Sequence, residues 1–261
     1  QKALYAACSL ELLHTASLVH DDVVDEADER RGQQSVNASY TNRIAILVGD
    51  YILSASLKAI SECADQRMTN GIARLGLTLS EGEVRQIQNI SDKAFSIDAY
   101  YDVIGKKTAA LFEACCYLGA LSVGASEENT AKACHFGHDL GIVFQIRDDI
   151  FDYSDSKEVG KPTGKDMKEG KLTLPALFVL NDPDCPENIT AIALKIKNLT
   201  ATKEEIDCLV DYTKQHGGIN YAQQAMEEYS QRAMTFIEGI QDERLKASLK
   251  AYLDYVAGRS F

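Results

Sequence analysis

The sequence predicts an all-α fold, one domain of about ten helices. Three observations predict it. Apolar residues recur at helical spacing along almost the whole chain. The period-two alternation of half-buried strands is hard to find. Only 4 prolines interrupt 261 residues, and 45% hydrophobic beside 25% charged residues is the balance of a folded globular chain. A chain of this length can bury a sizeable core.

The elements follow in order. Leu10, Leu13, Ala16 and Val19 begin an apolar stripe that leads into an acidic cluster. That pattern is already running at Gln1, so a segment preceding this chain is expected. A polar loop is expected over 28–37 and a second helix over 38–63. Further helices are expected over 71–90, 97–124 and 127–153. The stretch 154–171 holds Gly160, Pro162, Gly164 and Gly170 and is too rich in Gly, Lys and Asp to be core. A helix restarts over 172–180. Thr202-Lys203-Glu204-Glu205 reads as a capping box opening another. Gly217-Gly218 punctuates the next two, and a last helix covers 242–256. No linker and no strand-rich block interrupts the series.

Composition excludes several functions. The net charge of −12 disfavours nonspecific binding to nucleic acid or an anionic membrane. The longest uncharged stretch near the middle, 114–125, is too short to span a bilayer. No cleavable signal peptide is visible. The 7 cysteines are scattered without metal spacing, and Cys115-Cys116 is an adjacent pair, not C-x-x-C. They read as reduced core thiols, so a cytoplasmic location is expected.

Two acidic clusters repeat each other. Asp21-Asp22-Val23-Val24-Asp25 is followed by Asp28, and Asp148-Asp149-Ile150-Phe151-Asp152 by Asp155. Both read D-D-h-h-D-x-x-D. Positions i and i+4 of a helix share a face, so Asp21 pairs with Asp25 and Asp148 with Asp152. Like charges so placed cost a helix about 0.2–0.5 kcal/mol per pair. Two solvated helix ends are the plain alternative. The recurrence beside apolar flanks favours a magnesium site, because hard cations want oxygen ligands. No His or Cys joins either cluster, which argues against zinc or iron. Arg30-Arg31 follow the first cluster, Lys107-Thr108 lie mid-helix, and Lys161, Lys165 and Lys171 follow the second. Each lysine alone is an ordinary solvated side chain. Jointly, such cations near acidic clusters suggest a polyanionic ligand.

These residues resemble the trans-isoprenyl diphosphate synthase family, closest in wording to its long-chain, octaprenyl-type members. His20-Asp21-Asp22-Val23-Val24-Asp25 with Arg30-Arg31-Gly32 is similar to the first aspartate-rich motif of that family. Phe144-Gln145-Ile146-Arg147-Asp148-Asp149-Ile150-Phe151-Asp152 is similar to the second. Glu81-Gly82-Glu83 and Lys107-Thr108-Ala109 are similar to lesser motifs, and the likeness covers most of residues 1–180. It implies a helical bundle around a central cavity, usually as a homodimer. It implies condensation of an allylic diphosphate with isopentenyl diphosphate, the product passing to membrane lipid metabolism. About three Mg2+ ions per site would clamp the departing diphosphate.

By the same resemblance, Asp21, Asp25 and Asp148 would be direct Mg2+ ligands. Asp22, Asp149 and Asp152 would be ligands or outer-shell partners. Arg30, Lys107, Lys161 and Lys171 would contact the allylic diphosphate. Thr108 and Gln145 would place oxygen dipoles near the cation. His14 and Arg31 would bind isopentenyl diphosphate; His14 lies two helical turns before Asp21, on the same side. The Gly-Lys-x-x-Arg motif of the family has no counterpart in the residues before Asp21. Ala16 and Ser17, five and four positions before Asp21, would face the channel for the growing tail. Their small side chains favour a long product over a farnesyl or geranylgeranyl one; tight packing alone is the plain alternative. A terpene cyclase would carry a mixed Asn/Ser/Glu motif in place of the second cluster. A noncatalytic subunit would commonly lose aspartates, and both clusters are intact here.

Overall fold

The structure, a computed structural model, describes residues 1–154 and 164–258. It bears out the all-α class. The exceptions among the described residues are two short antiparallel strands, β1 (Glu29–Arg30) and β2 (Gln33–Gln34). They turn the expected loop 28–37 into a hairpin. Its two-residue turn has Arg31 at φ 53° and Gly32 at φ 76°, the left-handed pair that a tight hairpin requires.

Two expected helices are divided. In place of one helix over 38–63 stand α2 (Val36–Ser39) and α3 (Asn42–Ser61). The cause is a pair of successive N-caps: Ser35 accepts from the Ala38 amide at 3.3 Å and Thr41 from the Ile44 amide at 3.2 Å. In place of one helix over 97–124 stand α5 (Ile97–Ile104), a π-helical turn (Gly105–Ala109) and α6 (Ala110–Ser122). The other elements hold, with α4 (Gln66–Ser91) and α7 (Glu127–Phe151) the longest. The stretch taken as loop over 154–171 contains the short α8 (Lys165–Lys168). Then follow α9 (Leu174–Leu180), α10 (Glu187–Lys197), α11 (Lys203–Gln215), α12 (Gly218–Glu238) and α13 (Glu243–Gly258). The capping box at the start of α11 is present, with Thr202 and Glu205 bonded reciprocally.

The chain divides into two compact units. The first comprises Gln1–Leu79 and Ala110–Gly137. Its core joins Leu10 and Leu13 of α1 (Lys2–Val24) to Ile60, Met68, Ile72, Leu118 and Leu121. Polar groups lock α1 to α3. Ser9 Oγ donates to the Ser56 carbonyl at 2.9 Å and Ser56 Oγ to the Ser9 carbonyl at 2.7 Å, and both residues are fully buried. The small size of Ser9 therefore serves helix packing. The cysteines expected in the core are mostly not there: Cys63 is buried, but Cys8, Cys115 and Cys208 are exposed, because they fall on the outward faces of their helices.

The second unit comprises Ser80–Ala109 and His138–Phe261. The short apolar α9 is almost wholly buried at its centre. A buried cation secures the end of α4: Lys197 Nζ donates to the carbonyls of Asn89, Asp92 and Ala94 at 2.8, 2.7 and 2.7 Å. All three ammonium protons thereby find acceptors, which makes an 8% exposed lysine tolerable.

Candidate active site

In the first unit, the end of α1 and the hairpin after it carry the first cluster. Asp21 is half-buried, Asp22 buried and Asp25 exposed. Arg30 closes on Asp22, its Nε and Nη2 both 2.7 Å from Oδ1. Asn37 and Ser35 stitch the hairpin to the helix end: Asn37 Nδ2 donates to the carbonyls of Asp22 and Ala27, and Ser35 Oγ donates to that of Ala27. The polar loop therefore has a fixed shape that holds Arg30 and Arg31 beside the aspartates. His14, half-buried on α1, has its pKa lowered by burial; Glu11 opposes this, and the positive charges of Arg31 and Arg30 add to it. The imidazole shares one electrostatic neighbourhood with both arginines.

Ala16 is 1% exposed and lies on the core-facing stripe of α1. Ser17 is half-buried, and its hydroxyl donates to the His14 carbonyl at 2.9 Å. His20 packs where a Cβ at Gly49 would stand, so only glycine lets α3 pass there. Its Nε2 lies 3.3 Å from Asp50 Oδ1, which gives it a structural place.

In the second unit, α4, the π turn and α7 assemble the rest. Gly82 explains the Glu81-Gly82-Glu83 motif. A Cβ there would stand 3.0 Å from the Lys106 Cβ and 3.0 Å from the Lys107 amide nitrogen. Glycine lets α4 touch the π turn, and the flanking acids then reach its lysines. Glu83 pairs with Lys107 at 2.7 Å and Glu81 with Lys106 at 3.2 Å. Thr108 Oγ1 donates to Gln145 Oε1 at 2.7 Å, so the two expected oxygen dipoles stand together.

The second cluster is tied down by protein donors. Asp149 is buried and accepts from Tyr100 Oη at 2.6 Å and from Gln145 Nε2 at 2.8 Å. Burial and the charge of Asp166 push its carboxyl pKa up. Burial, then Asp149, pushes the Tyr100 phenol up. Asp152 accepts from the amides of Lys165 and Asp166 at 2.8 and 3.2 Å and so anchors α8. Asp148 is half-buried. Lys171 Nζ donates to Glu169 Oε2 at 2.6 Å. Lys161 and Asp155 lie outside the described residues.

Three participants escape sequence reasoning: Tyr100, Glu83 as the partner of Lys107, and the Arg31-Gly32 turn. An Arg-Gly pair inside a polar loop was the signal for the turn. Nothing local marks Tyr100, whose partner is 49 residues away.

The donor set suits a hard divalent cation. Every candidate ligand is a carboxylate, and Asp21 and Asp25 share one helix face. Among the described residues no three His, Cys, Asp or Glu side chains form a metal cage by themselves. Mg2+ is ordinarily held by one or two carboxylates plus substrate phosphates, so carboxylates without such a cage still fit it.

Known proteins share this layout. The Polyprenyl synthetase family profile matches residues 1–213. "Heptaprenyl diphosphate synthase component 2" of Bacillus subtilis (strain 168) is 34% identical over 261 residues, covering 100% of this chain and 74% of that protein. The solved geranylgeranyl pyrophosphate synthase of Bacteroides thetaiotaomicron superposes with a TM-score of 0.89 at 47% identity, covering 99% of this chain and 82% of that one. A decaprenyl diphosphate synthase from Rhodobacter capsulatus gives a TM-score of 0.91 at 32% identity, covering 98% and 79%. Since one profile match runs unbroken through both aspartate clusters, the chain belongs to the polyprenyl synthetase family and is a trans-polyprenyl diphosphate synthase.

Proposed function

We propose that the enzyme lengthens an allylic diphosphate with isopentenyl diphosphate into a long trans-polyprenyl diphosphate of the octaprenyl class used for quinone side chains. The observation that supports the chemistry most is the Thr108–Gln145 oxygen pair beside the Lys107–Glu83 ion pair. It sets acceptor oxygens next to a cation on one turn, as a reaction that separates charge requires.

The allylic C–O bond breaks, its electron pair leaving with diphosphate and a cation remaining on carbon. The double bond of isopentenyl diphosphate attacks that carbon, and the resulting tertiary cation gives a proton to an oxygen of the released diphosphate, which restores a double bond. Lys107 and Lys171 of the second unit, and Arg30 of the first, are the cations this reading offers to diphosphate. Thr108 and Gln145 turn oxygens to the positive carbon. His14 and Arg31 seat isopentenyl diphosphate. Asp21 and Asp25 of the first unit and Asp148 of the second are the carboxylates that would hold Mg2+, which would supply Lewis-acid neutralisation of the departing diphosphate. Asp22, Asp149 and Asp152 support from behind: Asp22 orients Arg30, Asp149 orients Gln145, and Asp152 anchors α8.

A second reading concerns length alone. The 47% identity to a structure titled geranylgeranyl pyrophosphate synthase favours a twenty-carbon product; the small Ala16 and Ser17 favour a longer one. One assay decides. The enzyme is given farnesyl diphosphate, labelled isopentenyl diphosphate and Mg2+, and its lipids are sized. Products beyond twenty carbons are expected, and Ser17→Phe shortens them. A pool ending at twenty carbons establishes the second reading, and no product at all refutes both. Asp21→Ala and Asp148→Ala each lower turnover by about a thousandfold or more with the helical circular dichroism unchanged.

The enzyme works as a homodimer through α3 in this reading. Tyr40 before α3, then Ile44, Leu47 and Tyr51 on it, recur at i, i+4, i+7 and i+11. Leu47 and Tyr51 are 63% and 77% exposed. By length and composition α3 would also pass for a membrane span, but its Ala45, Gly49, Ser56 and Ile60 face is buried within the first unit. A second copy suits the remaining apolar stripe. The word "component" in the Bacillus relative's name makes a different subunit the alternative occupant.

A further inference from the structure

Thr108 and Gln145 are two links of a longer hydrogen-bond chain, all of it in the second unit. Thr108 Oγ1 donates to Gln145 Oε1 at 2.7 Å. Gln145 Nε2 donates to Asp149 Oδ1 at 2.8 Å. Tyr100 Oη donates to Asp149 Oδ2 at 2.6 Å. The amide nitrogen of Gln145 faces Asp149. Its carbonyl oxygen must then face Thr108. A carbonyl oxygen cannot donate, so the hydroxyl proton of Thr108 points at Gln145. What Thr108 offers to anything else is oxygen lone pairs. Such an oxygen welcomes a positive centre and repels a phosphate oxygen.

Tyr100 secures the far end of this chain. It sits on α5, 5% exposed, with its ring against Tyr101 at a centroid distance of 5.4 Å. Its hydroxyl is the donor that occupies the second Asp149 oxygen. Without it, a buried carboxylate oxygen would lack a partner, and the carboxylate could rotate to draw both oxygens toward the Gln145 amide. Gln145 would then lose its single orientation, and Thr108 with it.

We infer that Tyr100 is a positioning residue: through Asp149 and Gln145 it sets the direction of the Thr108 hydroxyl, so that oxygen and not hydrogen meets the allylic cation. The inference rests on the prenyltransferase reading above, and the experiment separates the two.

In the full-length enzyme, Tyr100→Phe keeps the ring and removes only the donor. With farnesyl and isopentenyl diphosphates, kcat falls about 10- to 100-fold while both KM values stay within about threefold. In a Thr108→Val background the same change costs no further rate, because the hydroxyl it directs is gone. A merely structural tyrosine would lower the rate equally in both backgrounds. Tyr101→Phe, outside the chain, behaves as the parent. A parental kcat in Tyr100→Phe, or an equal loss in both backgrounds, overturns the inference and leaves the prenyltransferase reading standing. A parent enzyme that makes no product refutes that reading, and this inference with it. Should Tyr100→Phe fail to fold, the side-chain amide of Gln145 in the parent enzyme decides by NMR. One slowly exchanging Nε2 proton is expected, and rapid exchange of both overturns the inference.

Discussion

At the residue scale, Arg31 combines backbone strain with its proposed contact to isopentenyl diphosphate. Its φ of 53° lies in the left-handed region, and it has neither the freedom of glycine nor the short polar side chain of asparagine. The cost is of order 1 kcal/mol. Arg31→Gly therefore raises the unfolding free energy by about 0.5–1 kcal/mol, read as a shifted denaturant midpoint. The same change raises the KM for isopentenyl diphosphate about tenfold, since a charge-assisted contact is lost. Equal stability with equal KM would remove both claims. Asp22 shows the complementary case. Its carboxylate is closed by Arg30, so the middle aspartate of the first motif directs a cation and leaves Asp21 and Asp25 as the candidate ligands. The i, i+4 spacing already sets Asp21 and Asp25 apart from Asp22, but the partner of Asp22 was not legible, because it is an arginine brought back by a hairpin.

At the scale of elements, legibility follows the range of the forces involved. The capping box at Thr202 is written in four consecutive residues, and it stands where the sequence places it. The break between α2 and α3 is local as well, because Ser35 and Thr41 are both good caps, yet apolar periodicity running across them hides it. The π turn is not local. It packs against α4 at Gly82, and helical spacing alone cannot report it. Gly82→Ala forces a Cβ against the Lys107 backbone. It lowers stability by about 1–3 kcal/mol and lowers kcat beyond what that loss explains, since Lys107 and Thr108 move with the turn. Lys197→Met leaves three carbonyls at the end of α4 without their donor and lowers the unfolding free energy by about 2–4 kcal/mol. A melting temperature within a degree of the parent would show that water takes over those carbonyls.

At the scale of the whole molecule, the helical class and the chemistry were legible because both rest on repetition: apolar residues every three or four positions, and one aspartate pattern twice. The division into two units was not, since α4 and α7 run without a break in periodicity through the residues where it falls. Oligomeric state follows from surface and not from core. Leu47→Glu sets a charge in the middle of the α3 stripe and is expected to convert a dimer to a monomer by light scattering, with the helical content kept. A particle of unchanged mass would clear α3 of that role. The turn at 105–109 has one last consequence. Deleting a single residue there would restore an ordinary spiral, and each residue accounts for about 100° of rotation around its axis. Thr108 would swing away from Gln145 while the far-UV spectrum stayed nearly the same. In this protein, a gene one codon shorter would yield a well-folded chain with the Thr108 oxygen facing the wrong way.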